Sequence, residues 1–364
     1  MPPRVPVIPG SGASPAVHGL VIGVGNYVNP GAPSLAGTTA SALAFADWLA
    51  DEHTPPGFAR GSIDVLVSQP SGQPVTWRGQ TLDAPTTAKV GEAIDALHAR
   101  VDPSPADMVV FYFCGHGIEL GDLRSLLLED VDLRSTTNPF RNAIAFDDFV
   151  DGMASCGPRQ QVYVLDACRE LPMGYEQWSE VTHLGEPMVL FNAKRKAKLG
   201  SRTHVILDAT SSDQKAWSSK AGAWFTDALL TVLKGAAGDN RFTPSETEYS
   251  INTKDIAETV KSLVARGFLD PPAGPQVAKR RGEGDLEFHV PKHPIVPILV
   301  TRKSAINAGD TFVALQQANA VKSFTATDAR PWRDSLPIGD YVFQHDADTV
   351  AANVWVPAKR VELP

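Results

Sequence analysis

Across the first 290 or so residues, unbroken apolar runs alternate with stretches of helical period. Residues 19–24 (GLVIGV), 63–67, 109–113 (VVFYF), 162–165 (VYVL) and 204–209 (HVILDA) have the length and continuous apolarity of strands buried on both faces. Between them, Ala42, Leu43, Phe45, Ala46, Trp48 and Leu49 fall at helical spacing, with Thr39 or Ser41 available as a cap. Val90, Ile94 and Leu97 mark a second helix from about Thr87, and residues 146–153, 223–233 and 255–265 mark three more, the last with Thr253 as its cap. The run RSLLLEDVDL reads as an edge strand, and residues 286–290 as the strand that closes the sheet. Residues 171–202 show no periodicity, and a connection of that length inside a domain is usually functional or mobile.

Strand and helix in alternation predict right-handed βαβ units and an α/β/α sandwich around a mostly parallel sheet. After Pro291 the texture changes to short alternating runs such as PIVPILVTR, DTFVALQQA and GDYVFQH, which predict a small all-β domain of the sandwich kind. Residues 1–17, rich in Pro, Gly and Ser, bury little and are expected to form a flexible N-terminal arm. The expected domains are therefore 1–17 (arm), 18–291 (α/β domain) and 292–364 (accessory β domain).

Composition narrows the function classes. A net charge of −8 without a long basic run argues against a nucleic-acid groove. No stretch approaches the roughly 20 apolar residues of a membrane span, and residues 1–17 lack the apolar core of a secretory signal. Three cysteines, Cys114, Cys156 and Cys168, lack metal-ligand spacing and point to reduced thiols, hence a cytoplasmic protein. The Ala, Arg, Asp, Gly and Pro usage has a bacterial cast.

Two apolar strands each deliver one reactive side chain: DMVVFYFCGHG ends at His116 and Gly117, and QVYVLDACRE passes through Cys168. Strand ends on one parallel sheet are where ligands bind, so residues 52 positions apart can be neighbours in space. A thiol attacks a carbonyl as thiolate and needs a base, the role open to His116, while the backbone N–H groups of Gly117 and Cys168 could form an oxyanion hole. Singly, each residue reads as ordinary: Cys168 and Cys114 as core thiols, His116 as a structural histidine. Jointly, Gly-His-Gly after one strand and Asp-Ala-Cys after another resemble the cysteine peptidases of the caspase, metacaspase and paracaspase superfamily. The resemblance covers about residues 18–291, with weaker support from GLVIGVGNY, LAGTTASALAFADWL, SLLLED and DATSSDQKAW followed by GAWFTDALLTVLKG. It implies an endopeptidase with protein or peptide substrates.

In that superfamily the residue two before the nucleophile lines the pocket for the side chain preceding the scissile bond. Asp166 stands there, as in metacaspases and paracaspases, which implies cleavage after Arg or Lys. The alternative for Asp166 is a carboxylate capping backbone N–H groups. The caspase arginines fall on Leu35 and about Ser218, so acidic specificity is not expected. The metacaspase Asn-Asp pair falls on Ala40 and Ser41, leaving a second pocket carboxylate missing, and the groove strand offers Ser211, Asp213, Lys215 and Trp217. Lys194, Arg195, Lys196 and Lys198 form a basic cluster in the interval where caspases are processed, a candidate cleavage site for the enzyme itself or an upstream activating protein. Metacaspases often need calcium, but Asp130, Asp132, Asp147 and Asp148 lack EF-hand spacing, so no cofactor or metal is assigned. The competing class is a catalytically silent scaffold that acts by binding proteins.

Overall fold

The computed structural model describes residues 6–29, 31–121, 123–168, 184–210, 216, 222–242, 247–274 and 276–364. They divide into two units, Met1–Asp227 with Pro272–Leu286 and Ala228–Pro271 with Glu287–Pro364.

The first unit begins with β1 (Ala16–Val24), α1 (Thr38–Asp51), β2 (Ala59–Ser68), a short hairpin of β3 (Thr76–Trp77) and β4 (Gln80–Thr81), α2 (Thr87–Val101) and β5 (Met108–Gly115). It continues through β6 (Gly117–Leu120), β7 (Leu123–Leu127), β8 (Ala143–Ala145), α3 (Phe146–Met153), β9 (Gln160–Ala167), α4 (Ala193–Leu199) and β10 (Thr203–Asp208). Helix α5 (Trp224–Leu233) crosses the division between the units. Next come β11 (Gly238–Phe242), β12 (Thr247–Asn252), α6 (Thr253–Ala265), β13 (Lys279–Glu283) and β14 (Glu287–His289).

The central sheet runs β13-β10-β9-β5-β1-β2, with every pair parallel except β10 with β13. Successive residues of β5 face opposite layers, as the pleat requires. Phe111 packs 5.2 Å from Phe149 of α3 and shares a core with Val90, Ile94 and Leu97 of α2. Tyr112 points the other way, stacked 4.3 Å from Phe45 of α1 and hydrogen-bonded to Thr226 of α5 at 2.7 Å. The sheet is covered on both faces, which is why its strands are apolar without alternation.

Three elements differ from the sequence reading. Residues 124–133 are no edge of the main sheet: β7 sits in a separate antiparallel sheet, β6-β7-β8. The strand that closes the main sheet is β13, KRRGE, whose mostly polar and exposed residues hid it, while β14 within 286–290 pairs with β12. Caps also differ. Gly37 precedes α1 and Asn252 precedes α6, neither with a side-chain cap, while the Thr39 hydroxyl donates to the Ser68 carbonyl and Ser41 accepts from the Ala223 N–H. The cap of α2 is Thr86, whose hydroxyl accepts from the Lys89 N–H.

Much of the segment read as aperiodic is anchored. Glu186 exchanges backbone hydrogen bonds with Ala143 and Ala145 at 2.8 and 2.9 Å, and Lys194 to Lys198 lie in α4, capped by Asn192. Arg195 is ion-paired with Asp102, and Arg202 donates to the carbonyls of Cys156 and Pro158.

At the N-terminal end of the sheet, a cleft of about 340 Å³ is lined by Pro9, Ser14, His18, Ser62, Arg100 and Asp107. His18 Nδ1 accepts from the Ser62 N–H at 3.1 Å and its hydroxyl at 2.8 Å, so Nε2 carries the hydrogen and faces Asp107 at 3.5 Å. The other Asp107 oxygen accepts from the Ser14 hydroxyl and the Ala16 N–H, both at 2.9 Å. Ile8 pairs with Ile63 on β2, so part of the segment read as an arm adds backbone hydrogen bonds to that strand.

Within the second unit, β15 (Ile295–Arg302), β16 (Thr311–Gln316), β17 (Asn319–Thr325), β18 (Trp332–Pro337), β19 (Gly339–His345), β20 (Asp348–Val354) and β21 (Lys359–Leu363) form sheets β18-β15-β21 and β17-β16-β19-β20. Val296, Ile298, Phe312, Trp332, Phe343 and Val361 share one core between them. Among the described residues no helix is long and apolar enough to cross a membrane.

Candidate active site

Strands β5 and β9 pair in parallel with a constant offset, Met108 opposite Gln160 through Gly115 opposite Ala167, which is 52 residues throughout. His116 and Cys168 are the next residue on each strand and differ by the same 52. The register therefore delivers both side chains at the same level beyond adjacent strands, which lie about 4.8 Å apart in any sheet. Gly117 fits this junction because of what it lacks. A methyl group there would stand 2.6 Å from the Cys168 carbonyl oxygen and 3.1 Å from Ala167 Cβ, so only glycine lets the two chains meet.

His116 is held on three sides. Its N–H donates to the Tyr27 hydroxyl at 2.7 Å, its carbonyl accepts from the Leu127 N–H at 2.9 Å, and its ring lies 4.8 Å from that of Tyr27. Nε2 is 2.8 Å from the Pro33 carbonyl. A carbonyl only accepts, so Nε2 carries the hydrogen and Nδ1 keeps its lone pair, with no hydrogen bond among the described residues. Burial lowers the pKa of the imidazole from its usual value, partly offset by the Pro33 carbonyl, which keeps the ring neutral near pH 7. Cys168 is half-buried and in no disulfide, and its sulfur accepts from the Ala216 N–H at 3.3 Å. A neutral base and a thiol that receives an N–H are the two groups from which a thiolate can form.

Asp166, two residues before Cys168, is 3% exposed. Its Oδ2 accepts from the Thr226 N–H at 2.9 Å and the Thr226 hydroxyl at 2.6 Å, so the capping role expected of a strand-end carboxylate is present at the start of α5. Oδ1 is buried with no hydrogen-bond partner among the described residues. Burial, partly countered by the Thr226 bonds, pushes this carboxyl up to about 6. Cys114, opposite Asp166 on β5, is fully buried and its thiol is raised by burial, in keeping with a core residue.

Ser211, Asp213, Lys215, Trp217 and Ser218 lie outside the described residues. Leu35, at one of the caspase arginine positions, packs against the apolar core. Three of the four acidic residues considered for calcium have structural partners: Asp130 Oδ1 accepts from the Thr87 N–H and hydroxyl, Asp132 from the Arg134 N–H, and Asp147 pairs with Arg124. A separate trio, His98, Asp102 and Cys156, is close enough to share a cation, yet Asp102 already pairs with Arg195 and burial pushes the Cys156 thiol up to about 12. Sequence reasoning missed Tyr27, Pro33 and Thr226. Tyr27 and Thr226 lay in quoted motifs, but nothing in sequence marks a carbonyl or a threonine as a partner.

The caspase domain family matches residues 17–267. The uncharacterized protein y4kE of Sinorhizobium fredii is 27% identical over 237 residues, 64% of this chain and 65% of its own length. A probable protease of a Desulfuromonadales bacterium is 24% identical over 259 residues, 69% of this chain and 30% of its own. The matched region thus spans less than two thirds of either relative. Among solved structures, protein GSU0716 from Geobacter sulfurreducens and caspase-1 from Spodoptera frugiperda are each 15% identical with a TM-score of 0.44, covering 74% and 76% of this chain and 94% of theirs. The family match takes in more than half of the chain, including both His116 and Cys168, and on that ground the chain belongs to the caspase-domain family of cysteine peptidases.

Proposed function

We propose that the protein is a cysteine endopeptidase that cleaves after basic residues through a Cys168–His116 dyad. The observation that carries this reading is the shared register of β5 and β9, which sets the two side chains abreast with the lone pair of His116 Nδ1 left open. In the proposed cycle Nδ1 takes the Cys168 proton and the thiolate attacks the scissile carbonyl. The N–H groups of Gly117 and Cys168 receive the oxyanion, and His116 returns the proton to the leaving amine. Water then hydrolyses the thioester, with His116 again as base. The free Oδ1 of Asp166 supports a cationic side chain before the scissile bond, since a buried unpaired charge is best completed by an opposite one.

Activation by a cut within residues 171–202, by the enzyme or an upstream protease, belongs to the same reading. Lys194 to Lys198 form α4, so a cut there requires that helix to unwind and the Arg195–Asp102 pair to break. N-terminal sequencing of purified wild type and Cys168→Ala decides this, and an intact wild type with full activity removes the cut from the mechanism. The activity itself is tested with fluorogenic peptides carrying Arg, Lys, Asp or Leu before the reporter. Turnover of the Arg and Lys peptides by wild type and none by Cys168→Ala is expected. Absence of Cys168-dependent turnover on every peptide would instead favour the silent scaffold.

A further inference from the structure

His98, in the last turn of α2, and Asp102, its C-cap, are one helical turn apart and so stand on one face. Cys156 follows α3 in the turn that leads into β9. Each of the three brings one ligand atom to within 4.8 Å of the other two. No spacing in the sequence marks this trio, because only the fold sets Cys156 against α2. The backbone holds the arrangement from the next residue. The Gly157 N–H donates to Asp102 Oδ1 at 3.0 Å, and a methyl group on Gly157 would collide with the Asp102 carbonyl oxygen, so glycine lets the turn lie directly on the helix end.

The fold leaves a donor atom open on each residue. Arg195 and Gly157 both bond to Asp102 Oδ1, and Oδ2 has no hydrogen bond among the described residues. The ring of His98, partly exposed, has none there either. Cys156 is fully buried, and its sulfur has weak partners, the Gly152 carbonyl at 3.7 Å and Met153 Sδ at 3.8 Å. The Arg195 pair is compatible with a cation, since it orients the carboxylate through the oxygen that the cation does not need. A protonated thiol is compatible too, because a coordinating cation deprotonates it outright.

We infer that His98, Asp102 and Cys156 form a site for a zinc-class transition-metal cation, which clamps the end of α2 to the turn entering β9. Thiolate, imidazole and carboxylate are the donor types of Zn²⁺, whose bonds of about 2.0–2.3 Å ask the three side chains to draw together by about an ångström, with water in the fourth position. Binding releases the Cys156 proton to solvent. One thiolate and one carboxylate then balance the two charges of the ion. Cys156 precedes β9 and Cys168 follows it, so the length of that strand, about 26 Å, separates the metal from the dyad, and the inference stands apart from the peptidase reading.

The test titrates Zn²⁺ and Co²⁺ into Cys168→Ala protein, where the dyad thiol cannot compete. Expected are one bound equivalent of Zn²⁺, a raised melting temperature, and with Co²⁺ the sulfur-to-cobalt charge-transfer band of a thiolate ligand. Adding His98→Gln or Cys156→Ala should weaken zinc binding, by competition with a chromogenic chelator, at least about 10- to 100-fold, the loss that even a secondary partner of a ligand causes. The band should vanish in Cys156→Ala. Circular dichroism checks folding, and if the buried Cys156→Ala variant does not fold, His98→Gln decides. Zinc affinity unchanged in His98→Gln, binding without the cobalt band, or no uptake of either ion overturns the site. None of these readouts depends on peptide turnover.

Discussion

The two ends of the central sheet each hold a histidine beside a hydroxyl or thiol and near an aspartate, yet they are built to opposite effect. At the N-terminal end the lone pair of His18 is filled by the N–H and hydroxyl of Ser62, and Asp107 is shared among His18, Ser14 and Ala16. Ser62 is 2% exposed. At the C-terminal end His116 is fixed through its backbone and Nε2 while Nδ1 stays open, and Asp166 keeps a buried oxygen without a donor among the described residues. Residue types alone would name the first group a Ser-His-Asp triad. Satisfaction separates them: a network whose atoms all find partners holds the fold together, and one that leaves reactive atoms open is poised for a ligand.

The sharpest way to break this contrast is at the nucleophile and its base. Cys168→Ala or His116→Ala should lower kcat/KM by about 10³-fold or more, whereas His18→Gln should leave peptide turnover within about threefold. Loss of activity in the His18 variant at full folding, by circular dichroism, would show that the two ends are not distinct in role.

Next in size is a dissociation of function from stability between the two aspartates. Asp166→Asn should cut kcat/KM for Arg peptides by roughly 10- to 100-fold, yet hold or raise the unfolding free energy at pH 8, by up to about 2 kcal/mol in denaturant melts. The sign follows from its raised pKa. With a folded value of about 6 against an ordinary 3.8, Asp166 favours folding when protonated, and that contribution is lost as pH rises from about 4 through 6. Asp107→Ala should do the reverse, costing about 2–4 kcal/mol in denaturant melts by stranding the Ala16 N–H and the Ser14 and His18 donors, while the KM of the Arg peptide is unchanged.

A finer test uses pH. The groups facing Asp166 are Thr226, Asp227, and Tyr112 and Cys114, which burial makes weaker acids and keeps neutral, so Asp166 is the carboxylate expected to titrate near 6. KM for Arg peptides should therefore climb as pH falls through about 6, while KM for a Leu peptide does not share the step. The smallest effect belongs to Ser62→Ala, about 1 kcal/mol of stability with turnover intact.

The site was more legible in sequence than the sheet's borders. His116 and Cys168 stood out because a buried parallel strand is a long apolar run whose end can be read to the residue. Strand β13 was missed because an edge strand with exposed Lys279 and Glu283 carries no apolar period, and α4 because seven residues with no buried side chain leave no helical stripe. Asp166 was read both as a pocket floor and as a cap. One carboxylate has two oxygens, and a linear pattern cannot assign them separately.

The constant register of β5 and β9 also bears on how this family can vary. The segment between His116 and Cys168 includes β6 to β8, α3 and several turns, none of which sets the distance between the two side chains. Lengthening the turn around residues 134–140 would change the count and leave the dyad abreast. Slipping either strand by a single pair would keep the count and destroy the dyad. Insertions are therefore cheap between these strands and ruinous within them, so the site tolerates drift in length while its alignment does not.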